Sequence, residues 1–128
     1  LAKMGLAALA RGEVEAARAV VEEIAARADA PDAGTYMWYW RAAFLARFHR
    51  AVGNRAATRR ELSAGLARVR ANGERGHEAA LLLAGAEVLE GDPARAHAEA
   101  AAVIAAELDL PPVRAAATLH LDRWAASG

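Results

Sequence analysis

Four histidines, two serines and sixteen carboxylates are the groups of this chain that could carry chemistry, and cysteine is absent. None falls into a working arrangement. A helix-borne zinc site places two histidines three or four residues apart, on one face. His49, His77, His97 and His120 offer no such pair, and there is no H-E-x-x-H motif. His77 and Glu78 are adjacent, so a helix points them to different faces. Carboxylates such as Glu22-Glu23 and Glu90/Asp92 sit at surface or capping spacings and form no acid/base dyad. Ser63 and Ser127 lack a nucleophile elbow. Every glycine-rich element reads as a helix end, not a phosphate cradle. The expectation is a chain with no catalytic residue, no metal site and no cofactor.

Two groups stand out from that background. Six aromatics crowd residues 36–48, namely Tyr36, Trp38, Tyr39, Trp40, Phe44 and Phe48. Such rings either fill a core or anchor an interface. Successive helical residues turn by about 100°, so the six cannot all face one way. Trp38 or Tyr39 is expected to point away from the main core. Arg47 and Arg50 are three apart and share a helical face. A guanidinium pair can grip a carboxylate or phosphate; the alternative is a solvated face paired with acidic neighbours.

Charge is unevenly spread although it sums to zero. Residues 1–40 carry a net −2, residues 41–75 a net +7, and residues 76–128 a net −5. A basic middle between acidic ends reads as neutralisation between neighbouring helices or as a surface for an acidic partner. Zero net charge and acidic flanks argue against nucleic acid. No apolar run approaches the roughly 18 residues of a membrane span, and no signal-peptide pattern is visible. The absence of cysteine fits a reducing, cytoplasmic compartment.

The elements that must position these residues are helices. Apolar content is 55%, enough for a core, and alanine, the best helix former, is the commonest residue. The 128 residues predict a single domain, a piece of a longer protein. Seven helices are read, at about 1–11, 13–29, 34–52, 55–71, 75–90, 93–108 and 112–126. Gly12, Gly53, Asn72-Gly73 and Gly91 end helices as left-handed residues would. Asn54 is an N-cap, and in Gly91-Asp92-Pro93 the aspartate caps the helix that the proline opens. Ala30-Pro31-Asp32 breaks the chain. The inward positions expected include Met4, Gly5 and Ala8, then Ala17, Val21 and Ile24, then Met37, Trp40, Phe44, Phe48 and Ala51. Further on they include Leu62 and Val69, Leu82 and Ala86, and Val113, Leu119 and Trp124.

Three of the glycine turns anchor a repeat. A small residue stands seven before each (Gly5, Ala46, Ala84) and five after each (Ala17, Thr58, Ala96). An apolar or small pair stands twelve and thirteen after (Ile24/Ala25, Gly65/Leu66, Val103/Ile104). The glycines are 41 and 38 residues apart, longer than the ~34 of a standard tetratricopeptide repeat. On these residues the chain resembles the tetratricopeptide-repeat family in a long, divergent form of the kind found in large bacterial regulators. The resemblance implies an all-α, right-handed solenoid of three helix hairpins, about 1–31, 32–73 and 74–111, closed by a terminal helix at 112–127. It also implies a concave groove lined by the first helix of each pair. Here that groove would draw on Trp40, Phe44, Arg47, Arg50, Leu81 and Val88.

The function expected is a non-catalytic protein–protein interaction or scaffolding module of a larger bacterial signalling or transcription-regulatory protein. Its partner would be a protein, a peptide or neighbouring domains of the parent chain, and exposed end faces would also allow a homodimer. The alternative is a sensor that holds a small amphipathic ligand in the groove.

Overall fold

A computed structural model describes residues 1–26 and 35–127, with the side chains of 35–38 and 127 left aside. The predicted break at Ala30-Pro31-Asp32 lies outside the described residues, and the directions expected for Met37 and Trp38 concern side chains outside the description. Among the described residues the chain is all-helical, with seven helices and no strand. They are α1 (Ala2–Ala10), α2 (Val14–Ala26), α3 (Thr35–Ala51), α4 (Arg55–Ala71), α5 (Arg75–Val88), α6 (Gly91–Leu108) and α7 (Pro111–Ser127). The chain packs as two compact units, Leu1–Gly65 and Leu66–Gly128, with the boundary inside α4.

The helix ends follow from glycine chemistry. Gly12, Gly53 and Gly73 have φ of +73°, +78° and +68°, a region that a Cβ disfavours. At each, two backbone N–H groups fold back on the helix just finished. Gly12 N donates to Leu9 O at 3.0 Å and Glu13 N to Ala8 O at 2.9 Å. Gly53 and Asn54 repeat the pattern on Arg50 and His49, and Gly73 and Glu74 on Arg70 and Val69. These paired bonds satisfy carbonyls that a helix end leaves orphaned. Asp109, at φ +53°, closes α6 in the same way, with Leu110 N donating to Ala105 O at 2.9 Å. The Asn54 cap is present: its Oδ1 accepts from Ala57 N at 3.1 Å.

The turn at Gly91 is of another kind. α5 ends at Val88, and Leu89 and Glu90 are extended, with ψ of 169° and 157°. Gly91 keeps a positive φ but stands at the head of α6, and no side chain caps that helix. The expected order, glycine closing one helix and Asp92 capping the next, is therefore corrected. The two extended residues shift the register of α6. After Gly12 and Gly53 the small residue five positions on is buried (Ala17, Thr58). After Gly91 it is not: Ala96 is exposed, while Ala94 and Ala98 are buried. Of the repeat's apolar pair Val103/Ile104, Ile104 is buried and Val103 is 57% exposed.

The first unit gathers α1, α2 and α3 around Phe44 and Phe48, with Ala2, Ala8, Ala17, Val20, Ile24 and Leu45. Gly5 faces the Phe44 ring so closely that a Cβ there would run into it. Met4, read as inward, is 65% exposed, because Ala2, Gly5 and Ala8 form the contact face of α1. Val20 replaces Val21 as the buried valine of α2, and Ala51 is exposed near the end of α3. In the second unit α5, α6 and α7 pack on one another. Their contact is made largely of alanine, including Ala79, Ala98, Ala101, Ala105 and Ala117, each 0% exposed. Alanine gives little apolar area per residue but permits close helix approach. At Gly85 the approach is closest, and the His97 ring occupies the space a side chain would need. On α7 only Ala117 is buried among the described side chains; Leu119, expected inward, is 53% exposed.

Candidate functional site

The aromatic segment divides by burial. Phe44 and Phe48 enter the core of the first unit, with ring centroids 6.4 Å apart. Tyr39 and Trp40 are half-buried and meet edge to face at 5.0 Å. Lys3 on α1 sets its ammonium over the Trp40 ring, 4.8 Å from the centroid. Arg18 on α2 does the same to Phe48 at 5.3 Å. Each cation gains from the ring quadrupole while its stem covers apolar surface. The resemblance puts Lys3 on the same groove face as Trp40, but nothing in the sequence marks Arg18 as a partner of Phe48, since that pairing depends on how the helices pack.

The groove set inferred from the resemblance is shared between the two units. Trp40, Phe44, Arg47 and Arg50 all stand on α3, in the first unit. Trp40 and Arg47 are half-buried, Arg50 is exposed and Phe44 is closed to solvent. Leu81 and Val88 stand on α5, in the second unit, and both are buried. Phe44 is enclosed because it fills the space opposite Gly5. Leu81 and Val88 are enclosed because α5 is covered on nearly every side. The surface these residues offer is Trp40, Arg47 and Arg50.

Just beyond, at the Gly53 turn, arginines accumulate. Arg50, Arg55, Arg59 and Arg60 are exposed, and Ala56, Ser63 and Ala64 are the short side chains among them. Glu61 reaches Arg60 at 4.0 Å and is mostly buried. His49, beside this turn, packs edge to face on Phe48. Burial holds its pKa below the ordinary histidine value, opposed by Glu61 and reinforced by repulsion from Arg60.

Ion pairing in the second unit is built on Glu78, a buried carboxylate. Arg70 Nε donates to its Oε2 at 2.9 Å, and Arg75 Nη1 to its Oε1 at 3.1 Å. Arg75 also donates to Glu107 of α6 at 2.6 Å. This is neutralisation of basic by acidic segments, and it ties the start of α5 to α6. Glu74 accepts from His77 Nδ1 at 2.9 Å, while its Oε2 is buried without a hydrogen bond. His97 Nδ1 donates to Pro93 O at 2.7 Å, and His120 lies 3.9 Å from Glu87. Among the described residues no group of three or more His, Asp or Glu could hold a metal, and no helix is long and apolar enough to cross a membrane.

No protein-family model, curated protein or solved structure matches the chain.

Proposed function

We propose that this chain is a tetratricopeptide-like, non-catalytic interaction module that binds a protein or peptide, as part of a larger regulatory protein. The observation that carries the reading is Trp40. One side of Trp40 packs against the Phe44/Phe48 core, and the ring stays half open, braced by Lys3 and Tyr39, with Arg47 two turns along the same face. A rigid, partly open aromatic next to arginine is the composition of an interface anchor. Glycine-ended helical hairpins that pack on their neighbours are consistent with repeat architecture. The ligand-sensing alternative needs Phe44 and Leu81, both of which are closed to solvent, so the interaction reading is preferred.

The test is capture of partners by the tagged chain, identified by mass spectrometry, with Trp40→Ala and Arg47→Glu as comparisons. The reading expects a specific partner that both substitutions weaken by about ten-fold, equivalent to about 1.4 kcal/mol. A partner retained equally by both variants would sink this surface, and thermal stabilisation by a small metabolite would favour the alternative.

A further inference from the structure

We propose that α7 is an exchangeable arm, and that two copies of this chain pair by each seating its α7 on the α5 and α6 of the other. The inference goes beyond the interaction reading above and uses none of the Trp40 surface. α7 packs on both α5 and α6 of its own unit. It does so through one stripe: Val113, Ala116, Ala117, His120, Leu121 and Trp124 recur at the spacing of a helix face. Of these Ala117 is closed to solvent and the other five are half-buried. A polar contact from the stripe to α5, His120 Nε2 to Glu87 Oε1, is long at 3.9 Å. A helix keeps its backbone hydrogen bonds within itself. Lifting α7 therefore costs the contacts of this stripe and not the helix.

The connection to α7 carries a strain that the chain avoids at its other turns. Among the described residues the positive-φ positions are Gly12, Gly53, Gly73, Gly91 and Asp109. Four are glycines, which have no Cβ to crowd. Asp109, at φ 53° and ψ 64°, stands between α6 and α7. There its Cβ approaches the following carbonyl oxygen, which aspartate tolerates better than most residues but less well than glycine. Pro111 and Pro112 follow, so α6 cannot run on through the junction. Leu110, before a proline, is biased to extended backbone. Once Asp109 returns to negative φ, the chain leads away from α6 instead of folding back on it. A short connection under strain favours exchange between copies.

The occupant of the vacated face is on view, because it is α7 itself, and a second copy supplies the identical helix. Every contact given up within one chain is remade between two. What then decides the balance is the strain at Asp109, which favours exchange, against the nearness of each chain's own arm, which favours the closed monomer. Rising concentration shifts that balance towards the pair. A pairing of two intact units through their outer faces would leave Asp109 as it is and relieve nothing.

The test is size-exclusion chromatography with light scattering on the full chain over a range of concentrations. Expected are monomer and dimer peaks that interconvert slowly, since an arm must lift before it can change chains. Asp109→Val adds strain to the closed connection and should tighten the dimer by about ten-fold; Asp109→Gly removes it and should weaken the dimer by about ten-fold. Circular dichroism follows the helix signal, and Asp109→Ala replaces Asp109→Val if that signal is lost. Because the chain has no cysteine, the seat of the arm can be read directly. Chains carrying Glu87→Cys are concentrated together with chains carrying His120→Cys and treated with a short bis-maleimide. Exchange joins the two kinds of chain, whereas a dimer of intact units leaves them unjoined. A dimer without that cross-link, equal dimerisation of Asp109→Gly and Asp109→Val, or a monomer at every concentration in all of these chains would each overturn the proposal. The interaction reading is tested separately, by partner capture with Trp40→Ala.

Discussion

Gly5 and Gly85 are both glycines inside helices, and each faces a ring where a side chain would be. Their substitutions should nonetheless differ. Alanine in a helix interior gains about 1 kcal/mol over glycine, while overpacking a core costs about 1–3 kcal/mol. Opposite Gly5 the Phe44 ring is fully enclosed and has nowhere to go. The cost should therefore lie at the upper end of that range, and Gly5→Ala should lower stability by up to about 2 kcal/mol in urea titration. Opposite Gly85 the His97 ring is only half-buried and can swing out. It would give up its bond to Pro93 O, worth about 1 kcal/mol, roughly what the alanine returns. Gly85→Ala should therefore be within about 0.5 kcal/mol of neutral. Equal losses at the two sites would show that His97 is as fixed as Phe44. His49 gives a second residue-scale expectation. Its folded pKa lies below the ordinary histidine value, so as pH falls the unfolded chain takes up the proton first. Its effect is absent above the ordinary value of about 6.5; below that, stability declines until the folded pKa is reached. His49→Gln should flatten the fall in Tm between neutral and mildly acidic pH, and an unchanged slope would assign that fall to other groups. Neither glycine contact was legible in the sequence, because each joins residues on different helices.

At the scale of elements the helices were largely legible and their faces less so. Gly12, Gly53, Gly73 and Asn54 end or begin helices within a residue or two of where their chemistry puts them. Faces were read from hydrophobic spacing, which works where valine, leucine and phenylalanine alternate with charge, as in α4, with Leu62, Leu66 and Val69 buried. It fails in alanine-rich helices, where no contrast marks a side. On α7, Ala117 is buried while Ala115 is exposed and Ala116 half-buried. The candidate site divides similarly: the aromatic and arginine anomaly was visible, but not which rings the core would take. The glycine turns yield a direct prediction. Gly12→Ala and Gly53→Ala force a side chain into the left-handed region, at about 1–2 kcal/mol each. Gly76 lies in α5 with open space around it, so Gly76→Ala should raise stability by up to about 1 kcal/mol. Thermal melts of the three variants suffice; a stabilised Gly53→Ala would mean the turn has another conformation to use.

Over the whole molecule burial is concentrated on particular helices. α5 has buried side chains from Glu78 to Val88, interrupted only at Ala80, Leu83 and Glu87. α7, by contrast, has one buried residue among its described side chains. Local opening is easiest where few contacts must break. Native-state hydrogen exchange should find the slowest amides in α5 and the fastest helical amides in α7, whereas uniform protection across both would mean that they open together. The compact units also differ in charge: residues 1–65 carry a net +3 and residues 66–128 a net −3.

The two extended residues before Gly91 have a practical consequence. They turn α6 so that Ala94 and Ala98 face inward and Ala96 outward. Because the chain has no cysteine, a single thiol placed at position 94, 96 or 98 would be the only one present. Its rate of alkylation becomes a gauge of the turn itself: fast at 96, slow at 94 and 98. Removing Leu89 and Glu90 would rotate the helix and exchange fast for slow, so that a loop's geometry could be followed with a dye and a clock.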